Sequence, residues 1–535
     1  MDLEYILQGP EPIVPPLNVS LGKHLFYCIK GHGDKVALVD AVTGKTRTFS
    51  EILSRSISVA EGFKARGIKT GDVVSICSEN SIDFILPVLA ACYIGATCAP
   101  LNPAYTTREL LHALNISKPS IIFCSEKALE TVERASQDTE FVKEIVVFGH
   151  PMSHKQTPFN RFLQFKSSGF EPVDVDPMET ITAILCSSGT TGLPKGVMLT
   201  QHNMLTVVRL MKDPRFGDLR REDVVLGLLP MFHSYAFACQ LITTVIGATV
   251  VVIKRFEEKV FLGSIQNYKI TLLFLVPPLV IFLAKAPIVD DYDLTSLRSI
   301  RCGAAPLSEE VEILLYKRLG VGPVKQGYGM TETTLGVLIT PPNRSKSGSS
   351  GVLVPDVKCK TTSVDHFLFL IPFFHQTRET IFFYVHSVTC GNLQSHISHN
   401  KQLMKSSFFH TVDLGYYCDE WIFLQLVNRL TELIKYNCFQ KITTKLEAVL
   451  LAHPDIQDAG VIGVPDEVAG ELPLAFVVKQ PGSNVTKEEI IKYVAEQVSP
   501  QKRLHGGVEF VKSIPKTPSG KILRRELKLM LKSKL

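Results

Sequence analysis

Several features that would narrow the class of this chain at once are missing from it. Its 12 cysteines fall without paired spacing, which excludes a disulfide framework and a zinc signature and predicts mostly buried thiols in a reducing compartment. Net charge is small: 57 Lys and Arg against 52 Asp and Glu leave +5 over 535 residues, dispersed along the chain, so no nucleic-acid partner is expected. Long apolar runs are also lacking. The longest, Leu272 to Leu283 and Phe367 to Phe374, are too short or proline-broken to span a bilayer, so no transmembrane segment is expected. The start, Met1-Asp2-Leu3-Glu4-Tyr5, has no basic region leading into an apolar one, so secretion is not expected either. What remains is a globular composition, 45% hydrophobic and 20% charged, in a chain long enough for two or more domains.

Against that background one stretch stands out, Ser187-Ser188-Gly189-Thr190-Thr191-Gly192-Leu193-Pro194-Lys195-Gly196. Glycines let backbone N–H groups turn toward an anion, hydroxyls add donors, and a lysine supplies a point charge, so the run is suited to hold polyphosphate. The preceding Ile181 to Cys186 reads as a buried strand feeding the loop. A Walker A loop is excluded, because Pro194 stands five places after Gly189 and Lys195 precedes Gly196. A flexible linker is the competing reading, but linkers are seldom this dense in Thr, Gly and Lys directly after an apolar strand.

Strand-like and helix-like runs alternate over 36–130, with a helix from Phe49 to Arg66, the strand beginning at Val73 and a helix from Phe84 to Ile94. Alternation resumes with strands at Ile181 to Cys186, Val224 to Leu229, Thr249 to Ile253, Leu272 to Val276 and Ser299 to Cys302. Such layering predicts an α/β fold with two parallel-sheet subdomains, whose ligands sit beyond the carboxyl ends of the strands. From about Glu432 the texture changes to a small α/β module of roughly 100 residues. The predicted division is therefore 1–427, a hinge over 428–431, and 432–535.

Within the larger part, 358–410 is anomalous, holding eight phenylalanines and six histidines (His366, His375, His386, His396, His399, His410) with the single glycine Gly391. A metal reading of His396-x-x-His399 lacks the acids that usually accompany it. Apolar strands of a small β-subdomain with incidental histidines are the better account.

Three further tracts complete a site. Gln326-Gly327-Tyr328-Gly329-Met330-Thr331-Glu332-Thr333-Thr334 offers an aromatic face for a base, a hydroxyl for a phosphate and a carboxylate for Mg²⁺. Pro515 to Leu527 places Lys521 after a Ser-Gly turn, a loop suited to deliver one cation. His410-Thr411-Val412-Asp413-Leu414-Gly415 supplies an acid able to grip ribose hydroxyls. Together these tracts resemble the adenylate-forming superfamily of acyl-CoA synthetases, 4-coumarate ligases and insect luciferases, over nearly the whole chain.

The resemblance implies a large N-terminal domain, a swivelling C-terminal lid and two half-reactions: carboxylate plus ATP to acyl-adenylate and pyrophosphate, then thioester formation with CoA. It implies that Ser187, Ser188, Gly189, Thr190, Thr191, Gly192 and Lys195 hold the β- and γ-phosphates, Thr331 the α-phosphate and Glu332 the Mg²⁺. Tyr328 and Gly329 would face adenine, with Ala304, Ala305 and Pro306 opposite. Asp413 would bind the ribose and Arg429 support it. His233 would border the acyl pocket, Lys521 would bridge carboxylate and α-phosphate, and Lys435 would act after lid rotation. Read alone, Arg429 and Lys435 are ordinary solvated charges and His233 an ordinary core histidine. The last residues, Ser533-Lys534-Leu535, match the address read by the peroxisomal import receptor, so a peroxisomal location is expected.

The lid and its approach depart from the family pattern. Thr-Gly-Asp is Thr411-Val412-Asp413, the hinge Asp-Arg-Leu-Lys is Asn428-Arg429-Leu430-Thr431, and Lys-Gly-Phe/Tyr-Gln-Val is Asn437-Cys438-Phe439-Gln440-Lys441. Val412 and Cys438 put side chains where a glycine's freedom was used. The thioester step is therefore expected to suffer more than adenylation. A scrambled coding segment would leave the same clustering. The leading expectation is an ATP-dependent ligase acting on a fatty acid or aryl-propenoate. Luciferin monooxygenation competes with it, although Leu335 replaces the serine usual in beetle luciferases and favours a more apolar pocket. A non-catalytic nucleotide- or acyl-binding remnant is the reading from another class.

Overall fold

The computed structural model describes residues 5–187, 195–363, 379–385, 409–418, 423–429, 434–436, 439–441, 443–466, 470–498, 503–518 and 520–532. Two large sheets organise the N-terminal part. The first has seven strands in the order Lys195–Thr200, Ile181–Ser187, Thr97–Leu101, Val73–Cys77, Ile121–Ser125, Glu144–Phe148 and Thr157–Pro158. All its neighbours run parallel except the first pair, an antiparallel hairpin. The second has nine strands, parallel from Lys325–Met330 through Ser299–Cys302, Leu272–Leu275, Val224–Gly227 and Thr249–Val252 to Val36–Asp40, with antiparallel strands at both edges.

Burial explains why these strands read as apolar runs and not as alternation. The helices Leu21–His32, Phe49–Ala65 and Ile85–Ile94 lie between the two sheets and contribute Leu25, Phe63 and Leu89 to a single core shared with Ile76 of one sheet and Val250 of the other. Covered on both faces, Thr97–Leu101 and Ile121–Ser125 are buried at every position. Helix ends follow their sequence cues: Thr48, Thr106 and Thr200 each cap a helix and exchange hydrogen bonds with the side chain at the third helical position. The nine cysteines from Cys28 to Cys359 are buried or half-buried, and among the described residues no helix is long and apolar enough to cross a membrane.

A third sheet is antiparallel: Tyr5–Gln8, Val357–Ser363, Glu379–Val385, Phe409–Cys418 and Phe423–Arg429. It takes up the described parts of the Phe- and His-rich segment as strands. His366, His375, His386, His396 and His399 lie outside the described residues. Asn428 and Arg429, read from sequence as the start of a hinge, close the last strand of this sheet.

The C-terminal unit has its own core, built on the strand pair Ile456–Asp466 and Gly470–Lys479 with Val461, Ala475 and Val477 inside. Gly507–Phe510 adds a parallel strand, and the helices Thr443–Ala452 and Lys487–Gln497 cover it. Leu451 packs against this core and against the N-terminal core around Ile281 and Leu283, so the lid is seated on the larger domain.

Candidate active site

The carboxyl ends of the parallel strands converge where the sequence motifs lie. Ser187 and Lys195 pair directly across the antiparallel strands Ile181–Ser187 and Lys195–Thr200. Lys195 is exposed. The strand Ile181–Ser187 packs against the short 3-10 turn Thr331–Thr333, which brings the Ser187 end of one sequence motif beside the other. Ser188, Gly189, Thr190, Thr191 and Gly192 lie outside the described residues, as do Ser533-Lys534-Leu535.

Thr331 is buried, and its hydroxyl donates to Ser234 Oγ at 3.2 Å. Ser234 begins the helix Ser234–Ile246, whose amino-terminal cap is His233. His233 Nδ1 accepts from the Tyr235 N–H at 3.3 Å, which leaves the ring proton on Nε2 as a donor. Burial first and the Lys521 charge second pull His233 down to about 4, so it is neutral at pH 7. Gly520, the neighbour of Lys521, stands against Val276 and Pro278 of the larger domain, and Val276 packs with Tyr235 and Ala236 next to His233, so the lid brings Lys521 to the His233 side.

The loop carrying Lys521 is tightly specified. Lys516 and Ile522 form an antiparallel bridge, Thr517 N–H donates to the Lys521 carbonyl at 2.8 Å, and the Lys521 N–H donates to Thr517 Oγ1 at 3.0 Å. Gly520 turns the chain at φ 81°, and a Cβ there would stand 3.2 Å from Val276 Cγ2 and Pro278 Cδ of the larger domain. Glycine serves twice at this point, for the turn and for the close approach. Behind the loop, Lys516 Nζ donates to Asp458 at 2.6 Å and Arg524 to Glu447 at 2.8 Å, anchoring it to the lid.

The wall formed by Ala304, Ala305 and Pro306 is held by a clamp that sequence reading missed. Gln326 Oε1 accepts from the Leu307 N–H at 3.1 Å while its Nε2 donates to the Leu307 carbonyl at 3.0 Å and to Glu312 Oε1 at 2.5 Å. The side-chain amide thus imitates a strand neighbour and ties the loop after Ser299–Cys302 to the strand carrying Tyr328. Burial pushes Glu312 up to about 7. Gln326 stood in a conspicuous tract, but nothing in the sequence marks Glu312. Ala304 itself adopts φ 71°, a left-handed conformation that costs a residue with a Cβ about 1 kcal/mol. Thr334 and Leu335 are also left-handed, at 55° and 87°, so the site concentrates backbone strain. Opposite them, Gly329 approaches so closely that a Cβ would overlap the Leu335 carbonyl.

Tyr235, packed edge-on against Phe274 and over Gly303, lines the apolar cluster of Leu229, Ala236 and Val276 beside His233. Leu335 packs instead with Val207, Ala238 and Ile242, between two helices. Beneath, Asp218 accepts from Arg301 Nε at 3.1 Å and from Lys325, pinning the two strands whose ends carry Gly303 and Tyr328.

Asp413 and Arg429 are direct partners across the antiparallel pair of strands. Thr411 and Val412 lie where the register slips opposite Ile381 and Phe382, a bulge immediately before Asp413. Lys435 lies on a lid strand, paired with Gln440. Glu332 sits half-buried in the Thr331–Thr333 turn. Among the described residues no cluster of three or more metal-ligating side chains is present. Glu332 fits Mg²⁺ as one protein carboxylate, since that ion takes much of its shell from phosphates and water.

Comparison with known proteins agrees with this geometry. The family model described as AMP-binding enzyme matches residues 25–366, and that of the AMP-binding enzyme C-terminal domain matches 445–521. Luciferin 4-monooxygenase of Nipponoluciola cruciata is 38% identical over 99% of this chain and 98% of its own length. 4-Coumarate–CoA ligase 3 of Arabidopsis thaliana is 37% identical over 96% and 92%. In fold, the crystal structure of the anthranilate CoA ligase AuaEII with anthranoyl-AMP superposes at a TM-score of 0.87, with 20% identity over 97% of this chain and 99% of that one. With family models matched in both domains and full-length relatives in two of its branches, the chain belongs to the adenylate-forming AMP-binding enzymes.

Proposed function

We propose that this protein is an acid–thiol ligase that activates an aryl-propenoate or a fatty acid with ATP and transfers it to CoA. The observation that carries the reading is the seating of Gly520, next to Lys521, on Val276 and Pro278 of the larger domain beside His233, where Thr331 and Ser234 also meet. Two anions, the carboxylate and the α-phosphate, must approach each other there. One ammonium shared between them, with hydroxyl and imidazole N–H donors fixed in advance, offsets their repulsion as charge moves toward pyrophosphate. No general base is required, since the nucleophile is already a carboxylate. In this reading Glu332 holds Mg²⁺, which neutralises phosphate charge, and Ser187 and Lys195 flank the phosphate loop. Ala304 to Pro306 and Tyr328 enclose the adenine, with Asp413 and Arg429 at the ribose. Tyr235 and Phe274 wall the acyl pocket.

The test is acid-dependent ATP–pyrophosphate exchange with 4-coumarate, caffeate, decanoate and palmitate, followed by mass spectrometry of the CoA thioesters. No exchange with any acid would sink the ligase reading and leave a nucleotide-binding remnant. The departures at Val412 and Cys438 support a weaker second step, read from thioester formation when acyl-adenylate is supplied. Similarity to luciferin 4-monooxygenases favours one further assay: with luciferin, ATP, Mg²⁺ and O₂ the protein is expected to stay dark, and sustained emission would reverse the order of the two readings.

A further inference from the structure

The helix Pro277–Lys285 touches the lid at both ends. Val276 and Pro278, at its amino end, pack on Gly520 beside Lys521. At its carboxyl end, about 13 Å away by helix geometry, Lys285 Nζ donates to the carbonyls of His453 at 3.0 Å and Ile456 at 2.9 Å. Those two residues bound the turn between the lid helix Thr443–Ala452 and the strand Ile456–Asp466. A helix carboxyl end carries partial negative charge, so a cation near it is well placed, and the His453 carbonyl, which also accepts the Ile456 N–H at 3.2 Å, has a second lone pair for it. Here the cation comes from the other domain.

We propose that Lys285 is a positioning residue, a latch that holds the lid in the orientation delivering Lys521, by capping the turn after the lid helix from the larger domain. A lysine serving only as a solvated charge would keep its ammonium in water. This one is drawn into the interface, and burial lowers it to about 8. Leu451, one residue before the end of the lid helix, packs on the same N-terminal core, so the latch and the apolar contact act together. Lid rotation must break both hydrogen bonds, and Lys285 thereby weights the adenylating orientation against the rotated one. The role in catalysis rests on the ligase reading above, whereas the latch itself does not.

Two measurements on the full-length protein separate these. In the first, surface lysines are acetylated with N-hydroxysuccinimidyl acetate and the rates at Lys521 and Lys516 are read by peptide mass spectrometry. In Lys285→Met, Lys521 should react on the order of tenfold faster, the loss of two charge-assisted bonds favouring the undocked lid. Lys285→Arg should restore slow labelling. Lys516, paired with Asp458 inside the lid, should not change. Equal Lys521 rates in wild type and Lys285→Met would overturn the latch, and so would a parallel rise at Lys516, which would signal general unfolding. In the second, with an acid the wild type accepts, Lys285→Met should lose about tenfold in pyrophosphate exchange and keep thioester formation from supplied acyl-adenylate. An equal fall in both would reduce Lys285 to a structural contact. Should the wild type exchange with no acid, the ligase reading fails while the labelling result still decides the latch.

Discussion

Replacing Glu312 by glutamine should stabilise the protein at neutral and alkaline pH and have little effect in acid. Glu312 is 5% exposed, receives Gln326 Nε2 at 2.5 Å and the Gly348 N–H at 3.4 Å, and has no cation to pair with among those partners. Burial raises its carboxyl from the ordinary 4.5 to about 7. Between those values the native state keeps a proton that the unfolded chain has lost, so stability falls as pH rises. The contribution is complete below about pH 4.5 and gone above about pH 7. At about 1.4 kcal/mol per pKa unit the effect amounts to at most about 3 kcal/mol. The Glu312→Gln side chain would keep an acceptor for Gln326 and remove the ionisation. Pulse proteolysis in urea at pH 5, 6, 7 and 8 should therefore show the variant gaining on the wild type by up to about 3 kcal/mol across the window. A difference independent of pH would refute the argument, because it would mean that Glu312 is ionised in the native state throughout or that water reaches it.

Gly520→Ala should lower pyrophosphate exchange by about tenfold and cost about 1 kcal/mol of stability, since the new methyl meets Val276 and Pro278 at 3.2 Å and the φ of 81° disfavours it; undiminished exchange would show that the Lys521 loop docks elsewhere. Ala304→Gly should raise stability by roughly 0.5–1 kcal/mol by relieving the left-handed strain at φ 71°, measured by the same proteolysis. His233, depressed to about 4, contributes stability that is complete above about pH 6.5 and lost as pH falls through about 4. Its imidazole, followed by NMR, should titrate near pH 4 in the wild type and at a higher pH in Lys521→Ala only by the smaller, charge-dependent part of the shift.

The parts of the site that sequence disclosed are those whose chemistry is local. Ser187 to Lys195 was legible as a motif before any fold was known, because its glycines, hydroxyls and lysine are contiguous in the chain. Gln326 to Thr334 was legible for the same reason, since its strand and turn carry aromatic, hydroxyl and carboxylate groups in order. Parallel strands such as Thr97–Leu101, buried on both faces, announce themselves as unbroken apolar runs. The clamp of Glu312, Gln326 and Leu307 was invisible, because its members come from a helix, a strand and a loop with no shared periodicity. Ser234 became a partner of Thr331 only when its helix placed it there.

Sequence alone therefore determined the α/β class and, through its motifs, the family, since motif residues adjacent in the chain must be adjacent in space. Tertiary structure decided which distant groups face each other: the Lys521 loop, through Gly520, against Val276 and Pro278, Gln326 across to Leu307, and Lys285 beneath the lid turn. The first and last of those contacts join residues far apart in the chain, and they depend on how two independently folded cores are seated together. No periodicity encodes such a contact, because each partner's local sequence is satisfied equally well with the lid docked or turned away.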